Sequence, residues 1–196
     1  MKSLEICFAT NNAHKLEEVQ SILPSGINIL SLKDIACFEE LPENQKTIEG
    51  NALEKAAFVS GKYGINCFAD DTGLEVSALG GEPGADTAHY AGPGRDAEKN
   101  MDLLLKNLEG VADRSARFKT IFAFKWEGEM YSFEGLMRGK IALEKKGETG
   151  FGYDPVFIPE GYEKTFAELG PEIKNKMSHR ALASKQLAAF LSKIWK

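Results

Sequence analysis

The segment from Ala116 to Trp126 constrains the fold most, because it alternates: Phe118, Phe122, Phe124 and Trp126 fall on one face, Arg117, Lys119 and Lys125 on the other. Successive side chains of a strand point to opposite faces, so the pattern predicts a half-exposed antiparallel strand resting on a core. Glu127-Gly128-Glu129 turns it into a partner around Met130 to Phe133, and Gly135 to Ala142 reads as a further strand. The N-terminal half has a different rhythm. Leu4 to Ala9 reads as a short buried strand and Lys15 to Leu23 as a helix, since Leu16, Val19, Ile22 and Leu23 share a face. A strand over Ile27 to Ser31 follows, then a helix from about Thr47 to Tyr63 stopped by Gly64. Ile65 to Ala69 is a strand that ends in Asp70-Asp71-Thr72-Gly73. Asp96 caps a third helix with Leu104, Leu105 and Leu108 on its apolar face. The last helix, about Ser178 to Trp195, carries Ala183, Leu187, Phe190, Leu191 and Ile194 on one stripe. Strands and helices alternating first, then a hairpin, then a helix, predict an α/β fold with a mixed sheet in a single domain over residues 1–196.

Composition removes several functions. With 24 basic and 29 acidic side chains the net charge is −5, which lacks the field of a nucleic-acid binder, so phosphate affinity must come from a local cluster. Glu5 interrupts the apolar run at the start, and no stretch approaches the ~20 apolar residues of a membrane span. The expectation is a cytoplasmic protein with no membrane partner. Cys7, Cys37 and Cys67 are odd in number and form no CxxC pair, which argues against a disulfide framework and against zinc. Each precedes a Phe at a spacing of 30, but the flanks share nothing else, so they are read as small buried residues and not as a repeat.

Four constellations could carry chemistry. Thr10, Asn11, Asn12, Ala13, His14 and Lys15 lie at a strand-to-helix turn, where unpaired N–H groups and the dipole favour an anion; plain capping explains them equally. Asp70 and Asp71 follow an apolar strand, where ligands of open α/β sheets bind. Adjacent like charges in a turn repel, so a hard cation or general-base work suits the pair better than a simple turn. Glu39, Glu40 and Glu43 are acids that could add a ligand. Gly150-Phe151-Gly152-Tyr153-Asp154-Pro155 interleaves glycines with rings on which a flat heterocycle could stack, or is a core-anchored loop. Lys174-Asn175-Lys176-Met177-Ser178-His179-Arg180, at the start of the last helix, suits a phosphate or carbonyl edge, or is a basic surface turn. Together the four make a nucleotide site. No nucleophile elbow, P-loop or GxGxxG is present, so a bound metal and an activated water are the natural way to attack phosphorus.

These residues resemble the ITP/XTP pyrophosphatase family, which hydrolyses non-standard purine nucleoside triphosphates to monophosphate and pyrophosphate. The likeness runs nearly end to end: Thr10-Asn11-Asn12 with Lys15, Leu41-Pro42-Glu43, Asn51-Ala52 with Lys55-Ala56, Ala69 to Leu74, Gly80-Gly81 with Pro83-Gly84, Phe151 to Pro155, and Ser178-His179-Arg180. The resemblance implies that Asp71 is the proton acceptor and, with Glu43, a Mg2+ ligand, Glu40 being the weaker candidate for the second acid. Lys15 and Lys55 would hold the triphosphate with the turn from Thr10 to Lys15, and Thr72 would add a substrate contact. Phe151, Gly152, Tyr153 and Asp154 would hold base and sugar, while Lys174, His179 and Arg180 would read the 6-oxo purine edge. The family fold is an elongated α/β domain with a long mixed sheet and a cleft between two lobes, usually a homodimer. One departure stands out: relatives usually place an arginine before the tyrosine where this chain has His89-Tyr90, which is expected to alter triphosphate affinity or the pH dependence of turnover. A haloacid-dehalogenase-type phosphatase would need Asp-x-Asp in place of adjacent aspartates, and a non-enzymatic nucleotide-binding module would not need the acidic pair.

Overall fold

The computed structural model describes residues 3–195, apart from the side chains of His14 and Glu18. The strands are β1 (Leu4–Phe8), β2 (Ile27–Leu30), β3 (Cys67–Val76), β4 (Pro83–Gly84), β5 (Ser115–Trp126), β6 (Glu129–Ile141) and β7 (Phe157–Pro159). The helices are α1 (Ala13–Gln20), α2 (Ile48–Tyr63), α3 (Ala97–Asn107), α4 (Phe166–Leu169), α5 (Pro171–Met177) and α6 (His179–Ile194). One mixed sheet has the order β2-β1-β3-β5-β6-β7, with β4 paired to β3. β1 runs parallel to β2 and β3, whereas β3–β4 and β6–β7 are antiparallel. The α/β class with a mixed sheet and flanking helices is as the order of elements implied.

The chain divides into two compact units. The first takes the chain up to Asp71, Thr120–Glu134 and the chain from Leu182. Its core gathers Ile6, Phe8, Val19, Ile27, Phe68, Phe122, Phe124, Ala183, Leu187 and Leu191. Parallel register sets Phe8 beside Phe68, and the two rings stack with centroids 4.5 Å apart. Each such ring contributes about 1.5–3 kcal/mol by burial, which fixes β1 against β3 at the point where both strands emerge toward polar residues. Cys7 and Cys67 are register partners one residue earlier, and all three cysteines are buried free thiols. The neighbouring Cys7 and burial push the Cys67 thiol far up, the mark of an unreactive structural cysteine.

The second unit takes Thr72–Lys119 and Gly135–Ala181. Its core is separate: Leu74, Val76, Met101, Leu104, Leu108, Ala116, Phe118, Ile141, Tyr153, Val156, Phe157 and Phe166. The Arg114 guanidinium ties this unit's loops by donating to the carbonyls of Leu108, Ile141 and Ala142 at 2.7–2.9 Å.

Caps and stops fall where sequence chemistry puts them. Asn12, Thr47 and Asp96 are N-caps, each accepting from the backbone N–H three residues on, and Gly64 ends α2 in the left-handed conformation. The β5–β6 connection places Glu127 at φ 47° and Gly128 at φ 90°, the two positive dihedrals of a tight hairpin turn. Four expectations are corrected. Asp70 to Gly73 do not form a turn; β3 continues through them to Val76, because Leu74 and Val76 bury completely and anchor the strand. The middle of β5 is covered on both faces, since Ile121 and Ala123 are buried as well as Phe122 and Phe124. Met130 to Phe133 and Gly135 to Ile141 belong to one strand, β6, which ends before Ala142, and Lys174 lies in α5, which Ser178 separates from α6.

Candidate active site

In the first unit, β1 delivers the chain into a braced turn. Thr10 Oγ1 accepts from Asn12 N at 3.2 Å, Asn12 Oδ1 accepts from Lys15 N at 3.2 Å, and Asn11 Oδ1 accepts from Lys33 N at 3.0 Å. Leu32 N donates to the Thr10 carbonyl, so the loop after β2 holds the turn from outside. Ala13 opens α1. The side chain of His14 lies outside the described residues.

The pleat of β3 sends Asp70 and Asp71 to opposite faces, and each meets its own lysine. Asp70 accepts from Lys15 Nζ through both oxygens, at 2.8 and 2.7 Å. Asp71 Oδ1 accepts from Lys55 Nζ at 3.0 Å, and Glu43 Oε1 accepts from the same ammonium at 2.8 Å. Asp71 is thus grouped with Glu43, the acid that the resemblance pairs with it, and Asp70 is held apart on Lys15. Glu39 is committed elsewhere, to Lys62 and Tyr63. Among the described residues no group of three or more His, Cys, Asp or Glu side chains is assembled as a metal cage.

Helix α2 builds this cluster from positions four residues apart, which stack on one helix face. Asn51 and Lys55 are both buried, and Asn51 Nδ2 lies 3.4 Å from Asp71 Oδ2. Asn51 Oδ1 accepts from Gln45 N and Glu54 Oε2 from Asn44 N, both at 2.9 Å. These two bonds clamp the loop that carries Glu43. Sequence reasoning assigned no role to Asn51, Gln45 or Glu54, although the i, i+4 pairing of Asn51 with Lys55 was a readable signal.

Burial pushes the Asp71 carboxyl above its ordinary value, and Lys55 only partly pulls it back. Burial alone would lower the Lys55 ammonium, but Asp71, Glu43 and Asp70 together raise it. A carboxylate that holds its proton more readily than usual is a better general base than a free one. Glu43 and Asp71, converging on one ammonium from two segments, also form an all-oxygen pair of the kind magnesium uses when waters and substrate phosphates complete its shell. The residues present therefore fit that ion.

In the second unit Asp154 is the centre. Its Oδ2 accepts from Lys174 Nζ at 2.5 Å and from Phe151 N at 2.9 Å, with the carboxylate side chain 2% exposed. A Cβ on Gly150 would run into that carboxylate, and Gly150 has φ 88°, so this position must be glycine. Lys174 Nζ also sits 4.0 Å from the Phe151 ring centroid, and Phe151 itself is 67% exposed. Phe151 is thus an exposed aromatic face backed by a cation, suited to a stacked base. Tyr153 does not share that property. It is buried, and its hydroxyl donates to the Thr87 carbonyl at 3.0 Å, so it anchors the loop to the core and offers no stacking face. His179 is buried with its ring stacked on Phe118 at 4.7 Å, while Arg180 and Thr72 are half-buried. His89 Nε2 accepts from Arg95 Nε at 3.1 Å, so a guanidinium that sequence reasoning missed stands beside the substituted position.

Two outcomes follow. Asp71 binds its proton more tightly folded than unfolded, so it contributes stability below its unfolded pKa that is lost as pH rises through the folded value. Asp71→Asn should therefore be no less stable than wild type at pH 7 in chelator-treated buffer, by thermal unfolding, with the difference shrinking toward pH 4. In the second unit, Lys174→Met leaves the Asp154 charge buried alone and should cost about 3–5 kcal/mol in urea unfolding. Adding Asp154→Asn should recover most of that loss.

The chain is similar to known proteins over nearly its whole length. The model of the Ham1 family matches residues 6–190. A dITP/XTP pyrophosphatase of Flavobacterium johnsoniae is 53% identical over 189 residues, covering 96% of this chain and 98% of the relative. That of Porphyromonas gingivalis is 50% identical over 188 residues, covering 95% and 97%. Among solved structures, the Staphylococcus aureus Ham1 protein superposes with a TM-score of 0.92 at 37% identity, covering 97% of this chain and 99% of that one. The Mycobacterium abscessus nucleoside-triphosphatase, a dITP/XTP pyrophosphatase, gives 0.83 at 41% identity, covering 96% and 99%. With matches of this extent, the chain belongs to the Ham1 family.

Proposed function

We propose that this protein hydrolyses non-standard purine nucleoside triphosphates, ITP, dITP and XTP, to the monophosphate and pyrophosphate, with residues 1–196 acting as one pyrophosphatase domain. The observation that carries the reading is the meeting of Glu43 and Asp71 on the one ammonium of Lys55, with a second lysine, Lys15 of the first turn of α1, held by the neighbouring Asp70. Two acids and two lysines in one unit suit a polyanion that is to be cleaved. That relatives such as those of Flavobacterium johnsoniae and Porphyromonas gingivalis are dITP/XTP pyrophosphatases supports the substrate class.

In this reading Lys15, Lys55 and the N–H groups of the turn from Thr10 to Lys15 bind the phosphate oxygens, with Thr72 adding a contact. Glu43 and Asp71 hold Mg2+, which supplies charge neutralisation on the phosphates when bound. Asp71 takes a proton from the water whose oxygen attacks the α-phosphorus. The bond from that phosphorus to the bridging oxygen breaks, and pyrophosphate leaves with the electron pair. Phe151 stacks the base. Gly152 lets it approach the backbone, and Asp154 holds Lys174 in place. Lys174, His179 and Arg180 present donors to a 6-oxo group. Donors that satisfy a carbonyl oxygen meet the adenine 6-amino group donor to donor, and leaving buried groups unpaired penalises ATP. The family resemblance also supports a homodimer in the cytoplasm, with no nucleic-acid or membrane partner. No described helix is long and apolar enough to cross a membrane.

Chromatography of a panel of ITP, dITP, XTP, GTP and ATP with and without magnesium tests the reading. Monophosphate and pyrophosphate should form from ITP and XTP in magnesium, about 100-fold more slowly from ATP, and not in the Asp71→Asn variant. Diphosphate with phosphate, or equal turnover of ATP, would overturn it.

A further inference from the structure

We propose that Asp70 is a positioning residue for Lys15: it fixes the ammonium at the place where the triphosphate is processed, and takes no part in the metal pair or in proton transfer. The inference rests on the reading above, which gives Lys15 a phosphate to meet. Three observations carry it. The Asp70 side chain is 2% exposed whereas that of Lys15 is 26% exposed, so the pair has a buried end and an accessible end. Both Asp70 oxygens accept from Lys15 Nζ, at 2.8 and 2.7 Å. Two of the three N–H donors of the ammonium are thus engaged, and the third has a set direction. Lys15 also donates its backbone N–H to Asn12 Oδ1, so both ends of the residue are held, one by the cap of α1 and one by β3.

A lysine side chain has four rotatable carbons, and ordering it around a ligand costs conformational entropy. Asp70 bears that cost in advance, because the strand that carries it is pinned to β1 by the Ala9 N to Phe68 O bond at 2.8 Å. Stability is a poor reason for the pair, since taking two charges out of water offsets most of their attraction. The adjacent Asp71, on the opposite face, does different work with Lys55 and Glu43. One dipeptide therefore serves two lysines.

A double-mutant cycle in turnover of ITP with magnesium, using Asp70→Asn, Lys15→Met and the pair, tests this, with thermal unfolding as the check on folding. Asp70→Asn keeps the shape and leaves the Lys15 charge in place. It should lower kcat about 10- to 100-fold, as a displaced catalytic group does. KM should stay within about threefold, because the lysine still attracts the triphosphate. In the Lys15→Met background the same substitution should cost no more than about twofold in kcat. Equal losses in both backgrounds, or a loss confined to KM, would overturn the proposal while leaving the reaction intact. Absence of wild-type turnover of ITP would remove the reaction and this inference together. Should Asp70→Asn not fold, folded Asp70→Glu takes its place: it keeps the charge but moves Nζ, so kcat should fall, and a wild-type kcat would overturn the proposal.

Discussion

Adjacent residues of a strand cannot face the same way, and the first unit depends on that constraint. Two neighbouring carboxylates in a turn would repel one another and call for a shared cation. On the pleat of β3 they are separated onto two faces, and each finds a lysine from a different helix, Lys15 of α1 and Lys55 of α2. The strand can carry them because Phe68 before and Leu74 and Val76 after are fully buried. Apolar burial on both sides of a polar dipeptide offsets the desolvation of the charges. It also keeps the Asp71 carboxyl above its ordinary proton affinity.

The second unit uses the same device with a different result. Asp154 is almost wholly buried, and Lys174 and the Phe151 N–H satisfy one of its oxygens. The consequence is an exposed ring of Phe151 held over a cation, where the first unit presents acids and ammonium groups. Tyr153 completes the division of labour within the Phe151 to Asp154 segment. Its neighbours carry the polar work, while the ring is packed into the core and the hydroxyl is tied to Thr87.

Much of this was legible in the sequence where chemistry is local. Asn12, Thr47 and Asp96 announce helix starts because a short polar side chain can satisfy an orphan N–H three residues on, and Gly64 announces a stop. Lys15, Lys55, Asp71 and Glu43 were legible through the family's spaced motifs, and the structure places Lys55, Asp71 and Glu43 together. What local pattern hid was tertiary. Asp-Asp-Thr-Gly has turn propensity, and only the burial of Leu74 and Val76 makes it strand. The partnership of Asp70 with Lys15 joins residues 55 apart, and that of His89 with Arg95 needs a left-handed Arg95 that no periodicity signals. Tyr153 looked like a ligand surface because aromatic residues between glycines do, and its burial followed from the rest of the unit.

The central claim is that the Asp71 cluster directs water to the α-phosphorus. Hydrolysis of ITP in 18O-enriched water, with mass spectrometry of both products, tests it most directly. The account predicts the label in the monophosphate and none in pyrophosphate. Label in the pyrophosphate would place the attack at the β-phosphorus and contradict it.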